Sequence, residues 1–526
     1  MLEWKIILAF VTGLIIFIYA IEHFSREIIA ASGERFRKIL SKLTKNRFTS
    51  TLLGTSITGL IQSSAATTVI TVSLVSAGMI SFAQSLGIIF GANIGTTITA
   101  QLIALKFTAF APYFIIVGFL WSIFGKSYRY IGNGLFYFGL VFFGLGLVSD
   151  AIEPIKNNPW IIANFAKLSS IYIAFLVGFL FTTVVQSSSV TTGLVVILAA
   201  NGLMSLVQAI PLLLGANIAS TLPTLFVSRK LNLYAKRAAA AHLLFNFAGA
   251  IIFLPLIKPF ANLIMTLGGS TAQQVANAHT IFNVIAAIIF LIILKPFQKL
   301  IKTLVPGEDE EILLKPKYLN DKLPKSNKVA FNLIEKELAY SLDATYNMYE
   351  KAMANLKSPS DKLTNEAEKY ESLSDLLDEK IEKSLLEISS RKLSDVEAKR
   401  VVLLVRLSNA IEQLSDFAED ISLLPKTEPY SQESLLGIDE IYIKFRDWFD
   451  IIRSNFIYKG KHKNKRISKS LWVAIDKGYA GHIKVIKEKT IYSGSLFVES
   501  VSLLEGAINK LKEIEELDAK YDKIKK

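Results

Sequence analysis

The 526-residue chain has no cysteine, which excludes disulfides, thiolate nucleophiles and thiolate metal sites at the outset. A second absence is local and says more. Between Phe48 and Leu105, and again between Ser169 and Val227, there is no Lys, Arg, Asp or Glu. Proton relays in membranes run on carboxylates and charge-selective pores on rings of charged side chains, so these stretches supply neither. Acids are scarce well beyond them: residues 1–303 hold 21 Lys/Arg and only six Asp/Glu, against 37 and 39 in the remainder. The net charge of +13 therefore comes from the loops of an apolar half and makes no case for nucleic-acid binding.

What that half does have is long apolar runs. The chain is 51% hydrophobic with mean hydropathy +0.40, too apolar for an ordinary soluble protein. Spans are expected at about 4–25, 81–104, 110–125, 131–150, 205–228, 235–257 and 275–296. Ile6–Ala20 followed by Ala30-Ala31-Ser32 has the outline of a signal peptide. Its main basic cluster follows the apolar run, so an uncleaved first span is expected instead. Seven basic residues lie from Arg26 to Arg47, and Lys126 with Arg129, Arg229 to Arg237, and Lys295 to Lys302 mark further basic loops. The positive-inside rule places these loops, and the C-terminal half, in the cytoplasm of a multi-pass inner (plasma) membrane protein.

Part of the apolar half is written twice. Gly54–Thr97 aligns without a gap on Gly178–Thr221, at an offset of 124 residues. Each copy holds a polar knot, Gln62-Ser63-Ser64-Ala65-Ala66-Thr67-Thr68 in one and Gln186-Ser187-Ser188-Ser189-Val190-Thr191-Thr192 in the other. Each also holds a glycine-broken span, with Gly91-Ala92-Asn93-Ile94-Gly95 answered by Gly215-Ala216-Asn217-Ile218-Ala219. The arm before the first knot, Phe48–Ile61, is 14 residues, which as a helix covers about 21 Å of a hydrocarbon core of about 30 Å. Such an arm cannot cross. Each knot is read as the tip of a re-entrant hairpin that dips to the midplane, with its non-helical backbone buried in protein. Three full spans separate the hairpins, an odd number, so the repeats (about 48–150 and 169–296) are inverted and their tips can meet. The expected fold is all-α: a polytopic membrane domain over 1–304 with two re-entrant helical hairpins, and a C-terminal soluble helical bundle.

Serines at a hairpin tip are good N-caps for the arm that follows, and they leave its first N–H groups aimed into the break. Two such N-termini converging on one point make an anion site, most naturally for a small tetrahedral oxyanion, which Asn93 and Asn217 can close with amide donors. With no charged side chain in either copy, a dianion held there needs a cation beside it. The available ligands are hard oxygens suited to sodium, with Gln62, Thr67, Thr97, Gln186, Thr191 and Thr221 as candidates. Any single Ser or Thr in a membrane helix is more simply a packing or back-bonding residue; the recurrence of the whole knot in register argues for function. His242 and His279 sit in echoing segments, Ala241-His242-Leu243-Leu244-Phe245-Asn246 and Ala278-His279-Thr280-Ile281-Phe282-Asn283, and are read as hydrogen-bonded structural histidines. Duplicated apolar units with a polar break point to a secondary transporter, not an enzyme. An intramembrane serine hydrolase would gain nothing from a duplicated nucleophile, and a channel would not need tips that alternate in exposure.

Pro306, Pro316 and Pro324 mark a linker over 305–328, after which residues 329–526 read as long amphipathic helices. Ser394-Asp395-Val396-Glu397 looks like a helix start, and Lys459–Lys469 like a solvated basic turn. Glu412 and Asp416, followed by Glu419 and Asp420, share one helix face.

These residues together resemble the type II sodium-dependent phosphate cotransporters, in the prokaryotic form with a fused PhoU-like domain. The resemblance rests on Gln-Ser-Ser at 62–64 and 186–188 and Gly-Ala-Asn-Ile at 91–94 and 215–218. It implies sodium-coupled symport of inorganic phosphate into the cell by alternating access, with sodium as coupling ion and no organic cofactor. The phosphate contacts it implies are Ser63, Ser64, Asn93, Ser187, Ser188, Ser189 and Asn217. Two positions depart from the pattern: the third serine is Ala65 in the first copy, and Gly95 is answered by Ala219. Implied partners are phosphate, sodium and the bilayer, with room for a homo-oligomer and for a regulatory ligand or metal on the tail. Glu412 and Asp416 resemble a PhoU metal motif, but Glu499 is a poor match for a second one, so a solvated acidic face is preferred. A regulatory tail requires that deleting residues 305–526 alters uptake or its response to phosphate; truncated and full-length chains with the same uptake curve would remove that role.

Overall fold

Helix is the only regular element among the described residues, as an apolar chain that must satisfy its backbone within its own segments requires. The structure is a computed structural model that describes residues 2–44, 46–105, 107–125, 128–307, 312–320, 322–424, 432–456, 472–473, 475–476 and 492–525. The basic turn expected at 459–469 lies outside them. Two units are distinguished, Met1–Glu311 and Ile312–Lys526.

In the first unit, α1 (Leu2–Leu43) leads into a helical hairpin of α2 (Arg47–Ile61) and α3 (Ser64–Ser76), followed by α4 (Phe82–Ala104), α5 (Ala111–Phe124) and α6 (Arg129–Ile152). After the short α7 (Pro159–Ala166) comes a second hairpin, α8 (Ile171–Val185) and α9 (Ser188–Ala200). Then follow α10 (Leu206–Ala219), α11 (Leu222–Ser228), α12 (Leu233–Phe253), α13 (Ile257–Thr266), α14 (Thr271–Ile292) and α15 (Leu294–Leu304). Among the described residues seven helical segments are long and apolar enough to cross a membrane: Trp4–Leu43, Phe82–Ala104, Phe107–Phe124, Arg129–Ile152, Leu206–Ser228, Leu233–Thr266 and Thr271–Ile292. All seven expected spans are among them. The hairpin arms have 15, 13, 15 and 13 residues, about 20–23 Å each, so none crosses a hydrocarbon core of about 30 Å alone.

The duplication persists in the packing. A Cβ on Gly54 would fall 2.2 Å from the Ile88 carbonyl oxygen, and one on Gly178 would fall 2.0 Å from that of Leu212. Likewise Gly91 meets the Thr51 carbonyl at 2.0 Å and Gly215 that of Phe175 at 2.1 Å. Every partner stands 124 positions from its equivalent. The first hairpin arm is thus pressed backbone to backbone against the following helix in both copies, an approach only glycine permits. The expected glycine break in the first copy is corrected: α4 is continuous from Phe82 to Ala104, because Gly91 and Gly95 serve this seam. Its counterpart does break, between α10 and α11, where Pro223 opens the new helix and cannot donate into the old one.

The second unit comprises helices Asn327–Lys357, Asp361–Ser389, Asp395–Leu423, Gln432–Asn455 and Tyr492–Lys525, packed on an apolar core that includes Phe331, Leu342, Leu407, Phe445 and Trp448. Ser394 caps its helix in a capping box with Glu397, as its sequence announced. From Ile312 onward the proline-marked stretch is packed: Ile312, Leu319 and Leu323 join the core, and the buried Glu337 carboxylate accepts from the N–H groups of Lys317 (2.7 Å), Tyr318 (2.6 Å) and Leu319 (2.6 Å). Burial, then the neighbouring acids Asp420, Asp375 and Asp378, raise the Asp416 carboxyl above its ordinary range. Glu412 is raised by burial and then by Asp416, Asp378 and Asp375. No group of three or more His, Asp or Glu among the described residues is arranged to hold a metal ion.

Gly91→Ala and Gly215→Ala are each expected to lower the thermal midpoint of the purified protein clearly, whereas Gly146→Ala, whose Cβ would meet nothing within 4 Å, should not. Equal midpoints for all three would refute the seams. A raised Asp416 pKa means that its ionised form costs stability above that pKa, a cost relieved as pH falls through it toward the ordinary aspartate value. Asp416→Asn should therefore stabilise the helical unit at pH 7 by up to about 1 kcal/mol, with the gain fading toward pH 4. A gain that is independent of pH would assign the effect to something other than charge.

Candidate functional site

Each hairpin turns over two residues, and the two turns agree torsion by torsion. Gln62 lies in the left-handed region at φ 60°, ψ 23°, and Gln186 at φ 56°, ψ 22°. These are the only non-glycine residues with positive φ among the described residues. A glutamine there costs on the order of 1 kcal/mol, so its recurrence at both tips marks a geometry the surroundings enforce. Both close the preceding arm by donating their N–H at 2.7 Å, Gln62 to the Thr58 carbonyl and Gln186 to that of Thr182. Ser63 and Ser187 are extended, and their hydroxyls accept from the N–H of Ala66 (3.2 Å) and Val190 (3.4 Å), capping α3 and α9. The first two N–H groups of each arm, on Ser64 and Ala65 and on Ser188 and Ser189, are left without intrahelical partners.

The arms are braced alike, Thr58 to Thr67 through hydroxyls at 3.0 Å and Thr182 to Thr191 at 2.5 Å. The two tips touch. Ser189, buried in the second hairpin, donates its hydroxyl to the Gln62 main-chain carbonyl of the first at 3.1 Å. Ser64 and Ser188 are buried beside this contact point, and neither hydroxyl finds a partner among the described residues. Two helix N-termini with open N–H groups, two unengaged hydroxyls and no charged side chain nearby in sequence are thus gathered in one apolar interior.

The other expected site residues divide by what they already bond. Thr67, Thr97, Thr191 and Thr221 each donate to a main-chain carbonyl three or four residues back: Ser63 (3.1 Å), Ile94 (2.7 Å), Ser187 (3.4 Å) and Ile218 (2.8 Å). With their protons committed, these hydroxyls present only lone pairs outward, the form a cation ligand takes. Asn93 is buried and donates to the Ile89 carbonyl of its own helix at 2.9 Å. Asn217, also buried, is held from another helix: its Nδ2 donates to Asn283 Oδ1 at 3.1 Å and its Oδ1 meets His279 Nε2 at 3.3 Å.

Equivalence ends at the glutamine side chains. Gln62 is buried, accepts at Oε1 from the Thr99 hydroxyl at 2.5 Å, and donates through Nε2 to the Gly59 carbonyl. Gln186 is exposed. Thr99 was missed because the residue in its place in the second copy is Pro223. Thr68 pairs with Thr224 at 2.7 Å, whereas the matching Thr192 hydroxyl is buried without a partner, the residue matching Thr224 being Ala100. Asn283 was missed as well, although the repeated Ala-His-x-x-Phe-Asn segment carried its signal.

The curated relatives include the "Putative inorganic phosphate export protein YjbB" of Salmonella typhimurium, 25% identical over 93% of this chain and 92% of its own. "Uncharacterized protein YqeW" of Bacillus subtilis is 27% identical over 51% of this chain and 89% of its own length. "Sodium-dependent phosphate transport protein 2C" of Mus musculus is 34% identical over 22% of each chain. No solved structure matches. The family model described as Na+/Pi-cotransporter matches residues 16–150 and 161–293, segments that contain one hairpin each, and the chain belongs to that family.

Proposed function

We propose that this protein carries inorganic phosphate into the cell together with sodium, holding the oxyanion between the two hairpin tips. The observation that carries the reading is the contact of Ser189 with the Gln62 carbonyl, which brings two capped but unfilled helix N-termini to one place. In this reading Ser63, Ser64, Ser187, Ser188 and Ser189 and the amides of Asn93 and Asn217 supply the donors. These donors would meet a tetrahedral dianion as hydroxyl O–H, carboxamide N–H and main-chain N–H groups, none of which carries charge.

A neutral donor set does not offset the desolvation of a dianion. A sodium ion about 5 Å away would contribute on the order of 3 kcal/mol per unit of anion charge at an effective dielectric of 20. That is roughly a hundredfold in affinity, so each ion binds appreciably only with the other. The lone pairs of Thr67, Thr97, Thr191 and Thr221, with Gln62 and Gln186, are its proposed ligands. The two repeats are proposed to run in opposite senses through the bilayer, with one rocking against the other to change which face of the tips is open. The exposed Gln186 beside the buried Gln62 supports a state open on one side. The second unit is proposed to be PhoU-like and cytoplasmic, following the basic loops of the first.

A second reading, export, is favoured by the name of the Salmonella typhimurium relative, which is matched over 92% of its length. Proteoliposomes separate the two. Sodium-coupled import requires phosphate to accumulate inside vesicles under an inward sodium gradient and to stop when sodium is replaced by choline; movement indifferent to sodium would refute the coupling, and net movement only out of loaded vesicles would leave export as the better reading. Ser188→Ala should weaken phosphate affinity about tenfold, the scale of one hydrogen bond to a charged group, with the thermal midpoint unchanged. Affinity equal to that of the unaltered protein would refute the site.

A further inference from the structure

The echoing histidine segments are not accounted for by the hairpins. His242 and His279 are fully buried, and in each segment the asparagine four residues on donates to the histidine's main-chain carbonyl, Asn246 at 3.0 Å and Asn283 at 2.8 Å. There the likeness stops. Among the described residues neither ring nitrogen of His242 has a partner, while His279 bonds Asn217 through Nε2 and leaves only Nδ1 unpaired.

The second cluster fixes its own hydrogens. The His279 carbonyl can only accept, so the Asn283 atom bonded to it is the NH2 group, and Asn283 turns its oxygen to Asn217. Asn217 must then present NH2 to Asn283 and its oxygen to His279, so the proton of the neutral ring sits on Nε2. One main-chain carbonyl thereby sets the orientation of two carboxamides and the tautomer of an imidazole. Of the two Asn217 amide hydrogens, one is used by Asn283 and the second is left to donate. Asn93, the equivalent residue, has no such clamp and is tied to its own helix.

We propose that His279 is a positioning residue for Asn217: its Nε2–H holds the carboxamide oxygen on α14, which keeps the remaining N–H of Asn217 directed to the transported oxyanion. The inference rests on the placement of Asn217 in the phosphate site. It makes the second half-site the pre-set one, because Asn217 is oriented by two side chains on successive turns of a neighbouring helix before any ligand arrives. Losing the clamp frees the amide to turn its oxygen toward the anion, which repels it.

The test is a double-mutant cycle in proteoliposomes, reading the phosphate KM, the maximal rate and the thermal midpoint. His279→Phe keeps bulk and removes the donor; it should raise the phosphate KM about tenfold, the scale of one buried hydrogen bond. His279→Gln, which retains an N–H at similar reach, should restore most of that loss. In an Asn217→Ala background His279→Phe should add almost nothing, since the group it positions is gone. Equal costs of His279→Phe in both backgrounds, or a well-folded His279→Gln as impaired as His279→Phe, would overturn the positioning role. If His279→Phe does not fold, Asn283→Leu serves, with the same non-additivity expected and additivity equally fatal. Asn217→Ala with unaltered affinity would overturn the inference along with that residue's place in the site. Unaltered affinity in Ser188→Ala but not Asn217→Ala would instead count against the hairpin reading alone.

Discussion

The membrane half depends on main-chain polar groups that no helix can close. A helix ends with open N–H or C=O groups, and in an apolar interior each must find a partner or cost several kcal/mol. Here two helices are interrupted in the same way, by a left-handed glutamine and a capping serine, and the groups so opened lie together. Such strain persists only where the surroundings over-determine it. The glycine seams hold each first arm rigidly to the next helix, and the Thr58–Thr67 and Thr182–Thr191 braces hold the second arm to the first. Seam and brace recur in both copies at one offset, which is why the two tips share their backbone geometry although their glutamine side chains are engaged differently.

Much of this was legible because it is local or repeated. The seven spans follow from apolar length alone. The hairpins follow from arms too short to cross, and the knots from an in-register duplication. What stayed hidden depends on contacts that neither periodicity nor repetition encodes. Gly91 and Gly95 look like helix breakers, and only the proximity of α2 reveals them as packing surface. Thr99 reaches Gln62 from a helix whose second copy has proline at that point, so comparing the copies conceals it. Asn217 was expected to be a donor, but its restraint was not foreseen, since His279 lies 62 residues away with no counterpart in the first copy. In the second unit the proline-marked stretch was read as part of a linker. Its apolar residues and the three N–H groups taken up by Glu337 bind it down from Ile312 on.

Duplication sets up symmetry, and the departures from it are informative. Gln62 is engaged by Thr99 and buried while Gln186 is exposed; Thr68 has Thr224 while Thr192 has no partner. Exact symmetry would give both tips the same surroundings in any one state. A carrier that binds on one side and releases on the other needs two states of similar energy whose surroundings differ. Bonds made by one tip and absent from the other are the kind of difference that separates such states, because each is broken or formed as a unit when the tips change neighbours.

The absence of carboxylates has a final consequence for energetics. Where Asp or Glu lines a transport site, part of the charge balance is fixed in the protein, and the site can empty without a large field. In the proposed site the donors are neutral and the balance is carried in by ions, so phosphate and sodium would each raise the other's affinity by the same factor. Reciprocity of this kind couples the binding of the two ions but sets no direction. The sign of the sodium gradient decides which way the loaded state moves, and the same clamp would serve uptake where sodium is high outside or release where it is not. Direction is thus a property of the gradients imposed on the tips. On the proposed reading, what the residues contribute is that neither ion makes the passage cheaply alone.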